Sequence, residues 1–256
     1  MLELTELQEH VEGLILGTPS PGKHSARSAI RHIQKAWEIR ELDREMAGFR
    51  AITGEEESAS AIYHALKRRR YNGADKLDPR NHVHKAALYP FLIAVSQALQ
   101  PLAKSELEPR LELKEENGRK RIRSRVTVTT PSGDSMWAYP EPPLHYTLTI
   151  NDKLHDFSEE LAKLANEKSA KDMITAIRGA ANLRNQIIYA SQQGIPSLSE
   201  SLDKYLLKRR DVIFRNLIIY LMIDPYREKQ LFVQQSLAAF LKMLKLVQKQ
   251  ELILEW

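Results

Sequence analysis

Apolar residues recur with a helical period along most of this chain, and one stretch, residues 109–152, breaks to a period of two. Residues 1–16 read as a short amphipathic helix, stopped by Gly17-Thr18-Pro19-Ser20-Pro21-Gly22. Ser25 is placed to cap a long helix running to about Phe49, with Ile30, Ile33, Trp37, Ile39 and Met46 on one broad stripe. Thr53 then opens a second helix, and Glu56 three residues on completes a capping box. That helix carries Ala59, Ile62, Tyr63 and Leu66 and stops at Lys67-Arg68-Arg69-Arg70-Tyr71, where cations suit a helix C-terminus, before Asn72-Gly73. A third helix is predicted from His82 to Leu102, kinked or divided at Pro90.

In the period-two stretch, Asn117-Gly118 is a two-residue hairpin signal. Such a loop pairs Glu116 with Arg119, Leu113 with Ile122 and Glu112 with Arg123, so one face carries charge pairs and the other apolar contacts. A short strand near Met136–Tyr139 and another over Leu144–Ile150 follow. Helical periodicity returns from Ser158 through Leu161, Leu164, Ile174, Ile177 and Ala181. Two more helices are predicted, from about residue 200 to 223 after a cap at Ser199, and from about 228 to 252. The expected fold is mainly α, a helical bundle with a small antiparallel β-sheet insertion, built as one composite domain. Residues 1–108 and 153–256 form its helical parts and residues 109–152 the insertion.

Composition narrows the chemistry. Cysteine is absent, which removes disulfide partners, thiolate catalysis and Cys-containing zinc sites. The net charge of +5 permits an acidic partner such as RNA. The N-terminus lacks a basic region followed by an apolar core, and Leu217–Ile223 is too short to span a bilayer, so a cytoplasmic protein without a membrane partner is expected. No phosphate-binding glycine loop, nucleophile elbow or His-Glu-x-x-His helix occurs.

Near the end of a predicted helix stands Leu183-Arg184-Asn185-Gln186-Ile187-Ile188-Tyr189-Ala190. The string resembles the Arg-x4-6-His motif of HEPN-type ribonucleases, with Tyr189 in the histidine position. Two further segments extend the likeness. Gly54-Glu55-Glu56-Glu57 leading to Tyr63-His64-Ala65-Leu66-Lys67 is similar to the acidic, Ala-rich second helix of AbiV-like HEPN proteins, and Arg80-Asn81-His82-Val83-His84-Lys85 to their His-x-x-Lys element. The resemblance covers roughly residues 25–200. It implies a helical bundle, a homodimer, and RNA binding or metal-independent RNA cleavage in phage defence (abortive infection). Arg184 would then contact phosphate, Asn185 would orient it, and Tyr189 would occupy the acid/base position with His82 as a further acid or base. Tyrosine, with a reference pKa near ~10, is a weak base, and its presence puts catalysis in question. The ordinary alternative pairs Arg184 with a carboxylate and packs Tyr189 as a structural residue.

Other constellations are weaker. Arg119, Arg121, Arg123 and Arg125 alternate along one predicted strand and share a face that could track phosphates, extended by Arg68 and Arg69. Interleaved aromatics for base stacking are missing from that strand. Glu55, Glu56, Glu57 and His64 raise a ferritin-like metal site, but no Glu-x-x-His pair lies near a helix core, and three acids in a first turn are explained by the helix dipole. No metal and no cofactor are therefore expected. Besides an RNA-directed protein, a non-catalytic interaction protein on a degenerate HEPN-like core and a ferritin-like protein remain as alternatives.

Overall fold

A computed structural model describes residues 2–103, 107–116, 118–129, 135–146, 149–150, 153–154, 174–179, 187 and 201–254. It is mainly helical with a small three-stranded antiparallel sheet. The helices are α1 (Glu6–Leu16), α2 (Gly22–Ile39), α3 (Arg44–Arg68), α4 (His82–Ala103), α5 (Leu202–Ile223) and α6 (Leu231–Leu254). Residues 174–179 are also helical. Strands β1 (Leu107–Glu116), β2 (Arg119–Thr129) and β3 (Ser135–Ala138) form one sheet in that order, and β4 (Thr149–Ile150) pairs with β5 (Lys153–Leu154). No helix among the described residues is long and apolar enough to cross a membrane.

The chain divides into two compact units. The first comprises Met1–Ala65, Asp78–Ala86 and Thr175–Leu221, and the second Leu66–Leu77, Ala87–Ile174 and Met222–Trp256.

The first unit is organised around α3. Ala47, Ala51, Gly54, Ser58, Ala61 and Ala65 recur at alternating spacings of four and three, and all are buried. A stripe of small residues at that period lets neighbouring helix backbones come close. At Gly54 a Cβ would lie 2.9 Å from Ile213 Cδ1 of α5 and 3.1 Å from the Ala29 carbonyl of α2. Gly54 is therefore a packing residue in mid-helix, and the helix start predicted at Thr53 is not there. Thr53 Oγ1 instead donates to the Phe49 carbonyl at 2.9 Å, within the helix. The long helix predicted to Phe49 stops at Ile39, because Asp43 supplies a better cap: its Oδ1 accepts the Met46 N–H at 2.9 Å. Leu42 sits in this break, 86% exposed, so it offers no burial that would hold the two helices as one.

α1 opens on a cap that the sequence reading did not single out. Thr5 accepts from the Gln8 N–H while the Gln8 side chain accepts from the Thr5 N–H, a reciprocal capping box. Ile30, Ile33, Leu206, Ile213 and Leu217 fill the core of this unit, and Tyr220 closes it by donating from its hydroxyl to Thr18 Oγ1 at 2.7 Å.

In the second unit α4 runs unbroken through Pro90 and sets Phe91 against Phe240 of α6, ring centroids 5.0 Å apart. Gln230, fully buried ahead of α6, is a polar hub. Its N–H donates to the Tyr71 hydroxyl at 2.9 Å, its Nε2 to the Met222 carbonyl at 2.8 Å, and its Oε1 accepts the Leu144 N–H at 2.7 Å.

The hairpin register matches the predicted one: Glu116 opposes Arg119, Leu113 opposes Ile122 and Glu112 opposes Arg123. Gly118 takes φ +71°, the left-handed conformation this turn needs. The strand predicted over Leu144–Ile150 is pared down to Thr149–Ile150 among the described residues. Pro142 and Pro143 cannot donate to a ladder, His145 turns back to the Pro142 carbonyl at 2.8 Å, and the Leu144 N–H is spent on Gln230.

Candidate functional site

The densest polar chemistry among the described residues lies in the first unit, where the middle of α3 meets the start of α4. Because α3 begins at Arg44, Glu55 and Glu56 do not sit in a first turn. They belong to its buried face, 7% and 6% exposed. A carboxylate buried in mid-helix has no dipole to lean on and requires a cation.

Each finds one. Glu56 accepts from His82 Nδ1 at 2.9 Å on both oxygens and from Lys85 Nζ at 3.1 Å. Glu55 pairs with Arg209 of α5, whose guanidinium also lies 5.0 Å from the centroid of the Tyr205 ring. Burial opposes the charge on Arg209, yet Glu55 and Tyr205 outweigh it and hold the guanidinium above its ordinary value. Glu57, one residue on and half-buried, has no such relief. Burial pushes its carboxyl up, Lys85 only partly opposes this, and Glu56 adds to it.

The first turn of α4 is set by its cap and its neighbours. Asn81 Oδ1 accepts the His84 N–H at 3.1 Å, which starts the helix and aims His82 and Lys85 at α3 one turn apart. Tyr63 donates its hydroxyl to the His84 carbonyl at 2.5 Å, and burial holds that phenol well above its ordinary pKa, so it stays a donor. His84 itself is buried and accepts the Asp78 N–H on Nδ1 at 3.2 Å. Asn216 of α5 donates to Ser58 Oγ at 2.9 Å, and Ser58 donates to the Glu55 carbonyl at 2.6 Å.

His82 differs from its neighbours. Its side chain is 45% exposed while its carboxylate partner is 8% exposed. A carboxylate on Nδ1 fixes the proton there and leaves Nε2 as the nitrogen that carries the lone pair. That arrangement is suited to proton transfer at a solvent-facing ring.

No family model, curated protein or solved structure matches this chain.

Arg184, Asn185 and Tyr189 lie outside the described residues. Arg68 and Arg69, in the second unit, both close on Asp224. Arg68 Nε and Nη2 donate to its two carboxylate oxygens at 2.9 Å each, and Arg69 donates to its carbonyl. Asp224 is 1% exposed, so this clamp ties the end of α3 to the end of α5. Along β2, Arg119 is opposite Glu116 by register. Arg121 is exposed, Arg123 is buried against Glu141, and Arg125 meets Glu112 at 2.8 Å.

Sequence reasoning passed over Glu56 and Lys85 as members of a site. The signal was present: Glu56 shares the helical face of Ile52, Ala59 and Tyr63, which no solvated glutamate should. It was masked by starting the helix at Thr53. Among the described residues no three His, Asp or Glu side chains converge as a metal site, and Glu55 and Glu56 are already committed to cations.

Proposed function

We propose that this protein is an RNA-directed, HEPN-like protein, a metal-independent endoribonuclease acting as a homodimer in phage defence, with His82 as the proton-transfer group. The observation that carries the reading is the exposed His82 ring held through Nδ1 by the buried Glu56 carboxylate. In the proposed step His82 Nε2 takes the proton of a ribose 2′-hydroxyl. The 2′-oxygen attacks the adjacent phosphorus, the 5′-oxygen leaves, and a 2′,3′-cyclic phosphate results. Arg184 is assigned to the phosphate, Asn185 to its orientation and Tyr189 to the proton donor for the leaving oxygen.

Wild-type protein should cleave single-stranded RNA in the presence of EDTA, and His82→Gln and Arg184→Ala should each lower the rate by about a hundredfold. Equal rates for all three proteins would remove the assignment. A non-catalytic scaffold is the second reading, favoured by Lys85: its ammonium also sits on Glu56, as a structural ion pair would. Rates at background in wild type, with a stable fold, would select it.

A further inference from the structure

The aromatic side chain that the arginine strand lacks is supplied by its neighbour. Trp137 on β3 stands opposite Thr127 of β2, so it lies on the face that also carries Arg125, Arg123 and Arg121. It is 64% exposed, a large apolar ring held in solvent on an edge strand. Tyr139, just past β3, shares this face: its hydroxyl donates to Glu112 at 3.1 Å and Lys114 Nζ lies 4.4 Å from its ring centroid.

By register the same face carries the cations Arg110, Lys114, Arg119, Arg121, Arg123 and Arg125 and the carboxylates of Glu108, Glu112 and Glu116. Arg110 stands directly opposite Arg125, and Lys114 directly opposite Arg121. Like charges facing each other across strands oppose pairing. Among the carboxylates, Glu112 meets Arg125, while Glu141, beyond β3, meets the buried Arg123. Arg110, Lys114 and Arg121 remain exposed. A β-sheet face that presents an exposed tryptophan among cations meets the two requirements of a single-stranded polynucleotide, a stacking surface for a base and counter-charges for phosphates.

We infer that the β1–β2–β3 face is a docking surface for single-stranded RNA, with Trp137 stacking on a base and Arg121 and Lys114 contacting phosphates. The choice of RNA rests on the function proposed above; the stacking and charge geometry does not. Arg123 is excluded from the contact because it is buried, and it serves instead to fix Glu141 and the chain after β3.

The test is fluorescence anisotropy of labelled oligo(U), measured with full-length His82→Gln protein so that cleavage does not enter. Trp137→Ala should weaken binding roughly tenfold with an unchanged salt slope, and Trp137→Phe should restore most of it. Arg121→Gln and Lys114→Gln should each lower the slope of log K against log salt by about 0.7. The inference is overturned if Trp137→Ala binds as tightly as its parent, if duplex RNA or heparin binds better than oligo(U), or if oligo(dU) is preferred. Binding that depends on Trp137 in a protein that never cleaves RNA would uphold this surface while removing the proton-transfer reading of His82.

Discussion

Glu56 and Lys85 are buried against each other at 3.1 Å, 6% exposed both. The pair spans α3 and the start of α4, so it reports whether the two segments are docked. Removing the carboxylate leaves the ammonium buried without its partner, which typically costs about 3–5 kcal/mol. Glu56→Ala should therefore lose about 3 kcal/mol or more in urea unfolding, judged by that same penalty. Lys85→Met should cost less, because His82 remains on Glu56. The double variant Glu56→Leu/Lys85→Met should recover much of the loss. A double variant less stable than Glu56→Ala would contradict this account.

Alanine substitutions should separate the two mid-helix glycines Gly13 and Gly54. Gly13 in α1 has no atom within 4 Å of a built Cβ, so Gly13→Ala should stabilise by up to about 1 kcal/mol through helix propensity. Gly54→Ala should destabilise by about 1–3 kcal/mol despite the same propensity gain, since its Cβ meets Ile213 and the Ala29 carbonyl. Thermal midpoints moving in the same direction for both would refute the close approach of α3 to α2 and α5.

Arg70 occupies the position after α3 that glycine usually takes. Its φ is 55°, and the Tyr71 N–H reaches back to the Leu66 carbonyl at 3.1 Å while its own N–H bonds the Lys67 carbonyl at 3.0 Å. These bonds define a Schellman cap, in which a left-handed non-glycine residue costs about 1 kcal/mol. Arg70→Gly should raise stability by somewhat less than that ~1 kcal/mol, as glycine also loosens the unfolded chain. A clear loss in chemical denaturation would mean that the Arg70 side chain contributes more than its backbone strain costs.

The raised Glu57 carboxyl gives a pH signature. In the unfolded chain a glutamate titrates near ~4.3, and in the fold it binds its proton to higher pH. Across that window the native state holds more protons, so stability falls as pH rises and the deficit persists above it. Glu57→Gln should therefore melt higher than wild type at pH 7, and the difference should shrink as pH drops below the unfolded value. A difference independent of pH would show that the carboxyl is not the cause.

Much of the fold was readable because it depends on local chemistry. The register of β1 on β2 follows from a two-residue loop at Asn117-Gly118, and α1 follows from its glycine stop. The break between α2 and α3 was misplaced because two signals competed. Thr53-Gly54-Glu55-Glu56 has the letters of a helix start, and only the proximity of Ile213 shows that Gly54 is there for space. The same error hid the site, since Glu56 in a first turn needs no partner and Glu56 in mid-helix does. Leu144-His145-Tyr146 alternates like a strand but gives its first N–H to Gln230, a residue distant in sequence.

By itself the sequence determined the helical class, the position of the β segment, the hairpin register and the presence of an arginine-bearing strand, because periodicity and turn chemistry act over a few residues. Only the tertiary structure decided which charges meet. Buried carboxylates take whatever cation packing brings within reach, and so Glu55 found Arg209, Glu56 found His82 and Lys85, and Asp224 took Arg68. The arginine strand received its aromatic neighbour in the same way, through the pairing of β3 that sets Trp137 opposite Thr127.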